Sequence, residues 1–228
     1  MRYLLRKSIP RLTVTRRIYE TREGAVARLL ATNDKPLSAA DDRKEDARLA
    51  ELTLDPGRQK RRKQGEDADR ARVVKALRNL PAAFVYQDAG PMEAGGRTVE
   101  RFTFKPNPSY SPPDIEMQVL TQVAGEIWID PVQQRAVHLE GKLQNDVDFG
   151  WGILGRLYRG GWIRIDQTDI GGGVWRIVHL QMAMNARIVW RTRNFDTLEE
   201  VSDFVPLPAD ITYKEAVAEL RGVQRASR

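Results

Sequence analysis

The sequence predicts an α+β protein built on one large, curved antiparallel sheet that is covered by helices. Segments of alternating apolar and polar residues recur from residue 83 to about residue 204, as is typical of strands with one buried face. Short turns separate these segments, so consecutive strands are expected to pair in antiparallel order. Helical patterns are confined to an insertion at 34–81, a short segment near 114–124 and the tail 205–228.

The first eighty residues predict a hairpin followed by two helices. Residues 2–20 are expected to be extended, with Pro10 at a bulge or an edge, and residues 25–32 form the next strand. Ser38, with an acidic residue three positions later, is a predicted helix N-cap. A second helix is expected at 58–80 and should end at Pro81. Because half of residues 31–72 are charged, we expect the middle of this insertion to be a solvated, mobile helical arm.

The remaining chain predicts most of the sheet, for a total of about eight or nine strands. A short helix is expected from Asp114 to about Ala124, with Gly125 as its C-cap. The residues Gly171 to Gly173 should form a hairpin turn, and a phosphate-binding loop is the alternative. Residues 1–228 are interpreted as a single domain whose tail is a marginal helix. The other predicted strands begin near residue 84 and lie at 99–105, 126–130, 135–143, 161–170, 174–188 and 189–204.

Charge and composition argue against several classes of function. Cysteine is absent, which excludes disulfides, thiolate metal sites and thiol catalysis. The net charge is +6, and residues 1–30, with eight basic and two acidic residues, carry an excess of the same size. A nucleic-acid interface needs one continuous basic face, so no specific nucleic-acid partner is expected. The basic cluster at 58–63 could bind an anion, but nearby Glu66, Asp67 and Asp69 favour a self-compensated helix.

No constellation of residues predicts catalysis, and we expect no enzyme, no cofactor and no metal. The sequence contains no phosphate-loop, dinucleotide, zinc-protease or serine-hydrolase motif. Asp146 and Asp148 could share a face and act as paired carboxylates, but a solvated strand end is the simpler interpretation. His138 and His179 have no acidic neighbour at metal-ligand spacing and are interpreted as ordinary sheet residues.

Two apolar features are candidates for a hydrophobic site. The first, Phe149 to Gly161, mixes glycines with large apolar residues, and we interpret it as an apolar flap or a packing corner. The second is strand 174–188, which has apolar residues on both faces and must therefore be covered twice, by core and by helices or a ligand. The candidate cavity and flap residues are Trp151, Ile153, Leu154, Leu157, Tyr158, Val178, Leu180, Met182 and Met184.

Several segments resemble the bacterial outer-membrane lipoprotein-sorting proteins, in an acidobacterial subgroup. They occur in family order over about residues 30–204. The segments are DKPLSAADDRKEDARL, FTFKPNPSYSPP, GEIWIDP, DVDFGWGILGRLYRG and IRIDQTDIGGGVWR.

The resemblance implies an unclosed β-barrel whose helices surround an apolar cavity. It also implies a periplasmic, monomeric protein that shelters acyl chains or lipoproteins and meets the inner or outer membrane surface. Members of the family normally carry a signal peptide, and none is seen in this sequence. The alternative function is a non-catalytic structural or protein-interaction module on the same scaffold.

Overall fold

The computed structural model describes residues 1–149 and 155–222, which form a large open antiparallel sheet of 13 strands together with four helices. The hydrogen-bonded order is β4-β3-β2-β1-β13-β12-β11-β8-β7-β6-β5, while β10 pairs with both β12 and β9. The strands are β1 (Arg2–Ile9), β2 (Leu12–Tyr19), β3 (Val26–Thr32), β4 (Lys35–Pro36), β5 (Phe84–Ala94), β6 (Arg97–Pro106), β7 (Val123–Asp130), β8 (Arg135–Leu143), β9 (Val147–Phe149), β10 (Gly155–Leu157), β11 (Trp162–Asp169), β12 (Trp175–Ile188) and β13 (Arg191–Val205).

The helices are α1 (Ala39–Leu54), α2 (Pro56–Ala83), a 3₁₀ helix (Glu116–Gln122) and α3 (Tyr213–Gly222). Contacts within the chain group into two compact units. The first unit comprises Met1–Val73 and Glu199–Arg228, and the second comprises Val74–Leu198. The predicted antiparallel sheet and α+β class are confirmed. There are more strands than expected because residues 2–19 form two strands and because β4, β9 and β10 are additional short strands.

The core of the first unit joins α1, α3 and the strand pair β2–β3. Ser38 caps α1 as predicted, since its hydroxyl accepts a hydrogen bond from the Asp41 amide. The tail helix α3 is amphipathic, because one of its faces is buried in this core. The core residues are Tyr19, Val26, Leu49, Leu52, Ile211, Tyr213, Ala216, Val217 and Leu220.

The prediction of a solvated arm is wrong for one face of α2. Gln59 is 2% exposed, and its amide donates a hydrogen bond to the Glu23 carbonyl. The Glu66 carboxylate accepts one from the Ala25 amide at 3.0 Å. High charge therefore did not prevent packing, because the polar side chains on this face have partners in the same unit. The helix also continues past Pro81 to Ala83.

A buried arginine connects α1 to the sheet of the first unit. Arg28 is 2% exposed and donates hydrogen bonds to Asp42 at 2.6 Å and to Asp46 at 2.5 Å. Burial alone lowers the pKa of Arg28, but the hydrogen bonds that it donates to Asp46 and Asp42 outweigh this effect and raise the pKa overall. This arginine is therefore held in its charged form between strand and helix.

In the second unit, the 3₁₀ helix packs on β5 and β6 in place of the expected α-helix. Its buried residues are Met117 and Leu120, three positions apart, as the three-residue turn of a 3₁₀ helix requires. Ile115, which directly precedes the 3₁₀ helix, is 39% exposed. Met117 and Leu120 form a cluster with Ala83, Phe84 and Phe104.

Gly125 is not a helix C-cap but lies inside β7, opposite Gly141 of β8. A Cβ atom at Gly125 would lie 1.8 Å from the Glu140 carbonyl oxygen, and one at Gly141 would lie 2.9 Å from a methyl group of Val123. Glycine at both positions is thus required by the close approach of the two strands. Phe104 pairs with Gly125 from β6 and covers the space that side chains would occupy.

Candidate functional site

The candidate site is the apolar face of the second unit's sheet, built by cross-strand pairing. Leu139, Ile165 and Leu180 lie in one row across β8, β11 and β12. Gly141, Ile163 and Met182 form the next row. Residues paired across antiparallel strands project to the same face, so these apolar side chains make a continuous surface. We call Leu139, Ile163, Ile165, Leu180 and Met182 the apolar strip.

The apolar strip is only half-buried. Each of its five side chains keeps an intermediate exposure, whereas Leu143 and Phe104 on the same face are buried. The buried end of the face is the part beside the 3₁₀ helix, since Phe104 packs with Met117 and Leu120. A contiguous, partly exposed apolar surface is typical of a ligand or partner site.

Strand pairing places four predicted residues in or beside the strip. Leu180 and Met182 are members of it. Met184 follows on the same strand, and its Cγ would lie 3.3 Å from a Cβ at Gly161, so this glycine leaves room for the methionine side chain. Leu157 is brought to β12 through its pairing with Ala186.

The other predicted residues within the described part of the chain do not belong to this surface. Val178 has no partner in the register, because Asp166 pairs with His179 and Gln167 with Ile177, which marks a bulge. Tyr158 follows the end of β10, and its amide donates to the Asn185 carbonyl. Trp151, Ile153 and Leu154 lie outside the described residues.

The opposite face of the same strands carries a polar group that the sequence analysis missed. Asp166 is the register partner of both His138 and His179. Its Oδ1 is 2.5 Å from Nδ1 of His138, and its Oδ2 is 3.0 Å from Nδ1 of His179. The second contact has the distance of an ion pair without the alignment of a hydrogen bond. Asp166 is therefore an acidic neighbour of both histidines, which the spacing along the sequence did not reveal.

Two further contacts complete this polar face. The ring of Trp128 stacks on His138 with centroids 4.0 Å apart. In the adjacent row, Arg164 donates two hydrogen bonds to Glu140, which raise the pKa of the arginine. The described residues hold no group of three or more His, Asp or Glu side chains placed to bind a metal ion. This face is thus a network of internally paired charges.

The other chemical candidates have structural roles. Asp148 accepts hydrogen bonds from the Arg156 guanidinium at 2.6 and 2.9 Å, and Asp146 accepts one from the Arg159 amide. Asp146 also lies 3.5 Å from the Arg156 guanidinium, so both carboxylates are paired with this arginine beside β9 and β10. Gly171 to Gly173 form the predicted turn, with φ of 114°, 66° and 75°.

The basic cluster of α2 is largely paired with acidic neighbours. Arg61 lies 3.8 Å from Asp55, Arg62 lies 3.5 Å from Glu66, and Lys63 pairs with Asp67. The compensated interpretation is confirmed for these three cations. In the described part of the chain, no helix is both long enough and apolar enough to cross a membrane.

The first unit contains a separate cleft of about 590 Å³. Tyr3, Leu5 and Ile18 contribute apolar lining, and α2 contributes charged lining through residues such as Lys63 and Arg70. Because its lining is partly apolar and partly charged, the cleft is a second location where an acyl chain with a polar head group could bind.

Comparisons with protein-family models, with curated proteins and with solved structures found no match to this chain. The resemblance to lipoprotein-sorting proteins therefore stays an interpretation of the sequence motifs, and the geometry of the sheet is the basis for a function.

Proposed function

We propose that the protein is a non-catalytic carrier that binds acyl chains, free or attached to a lipoprotein, on the apolar strip. The observation that supports this proposal is the partial exposure of five apolar side chains in two adjacent cross-strand rows. A surface of this kind gains free energy when an apolar ligand covers it. The motif resemblance supports the same assignment and, with it, a periplasmic location and a role in lipoprotein sorting.

The expected affinity follows from the size of the ligand. Each buried methylene contributes about 0.8 kcal/mol. An acyl chain that buries about ten methylenes therefore gains about 8 kcal/mol before the costs of association and ordering. We expect saturable binding of a fluorescent fatty-acid probe in the micromolar range, measured by titration with the full chain.

Strand alternation supplies a matched pair of variants. Met182→Lys introduces a charge into the apolar strip, whereas Gln181→Lys places the same charge on the opposite face, where Gln181 pairs with Arg164. We expect Met182→Lys to weaken probe binding at least tenfold and Gln181→Lys to leave it within twofold. Thermal unfolding and circular dichroism verify that both variants are folded. Met182→Gln, which is polar but uncharged, replaces Met182→Lys if that variant does not fold.

Two results would contradict this proposal. If the folded wild type shows no saturable binding of the probe, a structural or protein-interaction module becomes the favoured function. Binding that is lost in Leu5→Lys but kept in Met182→Lys would move the acyl site to the cleft of the first unit, where Leu5 contributes to the lining.

A further inference from the structure

The turn that joins β12 to β13 exposes an apolar tip. It consists of Val189 and Trp190, and the Trp190 side chain is 89% exposed. Ile188, the last residue of β12, is 51% exposed, and Phe195 is 40% exposed. Exposed apolar side chains in this turn do not stabilise the hairpin, because the residues of a turn do not pack into a core.

The backbone of this turn is also unfavourable for its sequence. Val189 has φ of 55°, in the left-handed region that β-branched residues avoid. Two-residue hairpin turns favour glycine, asparagine or aspartate at such positions. Folding of the hairpin therefore does not account for a Val-Trp pair here, and a binding role does.

The charged residues next to the tip along the chain are all arginines, and the first acidic residue after it is Asp196. Residues 185–195 contain three arginines and no acidic residue. Arg191 and Arg193 are exposed on the strand that leaves the turn. The tip thus combines an exposed indole with guanidinium groups directly beside it.

We propose that this hairpin docks on an anionic lipid bilayer, with Trp190 in the interfacial region and Arg191 and Arg193 on the headgroup phosphates. Tryptophan favours the membrane–water interface because its ring is apolar and its N–H still finds a hydrogen-bond acceptor. Exposed arginines are attracted by the negative potential of an anionic leaflet and form bidentate hydrogen bonds with phosphate. This inference uses residues outside the apolar strip and does not depend on the acyl-carrier proposal.

Vesicle flotation tests this membrane contact with the full chain. The vesicles consist of phosphatidylcholine alone or of phosphatidylcholine and phosphatidylglycerol at a ratio of about 7:3. We expect binding to the anionic vesicles, and at least tenfold weaker binding by the double variant Val189→Gly/Trp190→Ser. That variant suits the turn better than the native pair, so its loss of binding cannot be attributed to misfolding.

Two more variants separate the apolar and the electrostatic contributions. Val132→Ser removes a different exposed valine, 83% exposed in the turn between β7 and β8, and should leave binding unchanged. Arg191→Gln/Arg193→Gln should remove the preference for anionic over neutral vesicles.

Three results would overturn the inference. One is a wild type that does not float with anionic vesicles, and another is a turn variant that floats as well as the wild type. The third is a dimer, seen by sedimentation without lipid and abolished by Val189→Gly/Trp190→Ser. It would assign the tip to a second copy of this chain. The vesicle assay contains no fatty-acid probe, so its failure leaves the acyl-binding result unaffected.

Discussion

His138 and Asp166 are joined through side-chain atoms 2.5 Å apart, although 28 residues separate them along the chain. The histidine is 7% exposed, with Trp128 against its ring and the aspartate beside it. Asp166 also contacts His179 of β12, so one carboxylate connects three strands. The contact bridges three strands on the polar face, directly next to the rows that form the apolar strip on the other face.

Removing the Asp166 carboxylate should destabilise the second unit. Asp166→Ala leaves a ring nitrogen of the buried His138 without its partner, which costs about 1–3 kcal/mol. Urea unfolding at neutral pH measures this loss. Asp196→Ala, at an exposed position of β13, is the matched control and should change stability by less than about 0.5 kcal/mol. Equal stability of the two variants would show that the contact contributes nothing to the fold.

Gly125 and Gly65 predict opposite effects of the same substitution to alanine. Gly125→Ala should destabilise by about 3 kcal/mol or more, because the new Cβ meets backbone atoms that cannot move independently. Gly65→Ala, at an exposed position of α2 with open space around it, should stabilise by about 1 kcal/mol. Thermal melts of both variants test this, and a Gly125→Ala protein as stable as the wild type would contradict the close approach of β7 and β8.

The burial of α3 predicts a large loss of stability when a residue near the end of this helix is truncated. Leu220 is 1% exposed, so Leu220→Ala should cost about 2–5 kcal/mol through lost burial and the cavity that remains. Leu54, at the end of α1, is 81% exposed, and Leu54→Ala should cost less than about 0.5 kcal/mol. Urea midpoints of the two variants test this prediction. A midpoint that falls for Leu220→Ala but not for Leu54→Ala supports a packed helix, and equal midpoints support a marginal one.

One ion pair predicts a pH dependence with a defined sign. The hydrogen bond from Lys75, followed by backbone amides of Met117 and Glu116, lowers the pKa of Asp114. A carboxyl group with a lowered folded pKa stabilises the fold above its unfolded pKa, which is about 3.9, and this contribution disappears as pH falls through the folded value.

Asp114→Asn removes this dependence while it keeps an oxygen for the amide hydrogen bonds. The variant should be less stable than the wild type at pH 6, and the difference should shrink as pH is lowered below about 4. Urea unfolding over this range measures it, and the carboxyl resonance of Asp114 gives the direction of its pKa shift independently. A difference between the two proteins that does not change with pH would contradict the assignment.

Local patterns predicted the elements whose structure depends on near neighbours. The Ser38 cap, the glycine turn at 171–173 and the strands β8, β11, β12 and β13 were predicted, because capping, turn geometry and alternation depend on consecutive residues. The prediction of a helix C-cap at Gly125 was wrong. Glycine is needed there because the backbone of β8 comes too close for a side chain. Contacts with other parts of the chain likewise explain α3, whose stability comes from burial against α1 and β3.

The candidate site was predicted on one face and missed on the other. Alternation along 174–188 indicated Leu180 and Met182 without knowledge of their partners. A regular hairpin around Gly171–Gly173 would place Val178 opposite Asp166, because Gln167 pairs with Ile177. The bulge after that pair moves His179 into this position, and a single sequence does not reveal bulges. The second partner, His138, comes from a strand that is not adjacent in the chain.

The composition of the first unit's core has a consequence for the order of folding. Tyr19, Val26 and Leu49 are completed by Ile211 and Leu220, which follow the whole second unit in the chain. During synthesis, residues 74–198 are available as one continuous stretch, whereas the first unit must wait with an incomplete core until residues 211–220 have left the ribosome. Closing so long a loop slows folding, so the early strands β1 to β3 stay exposed to aggregation and to chaperones for most of translation.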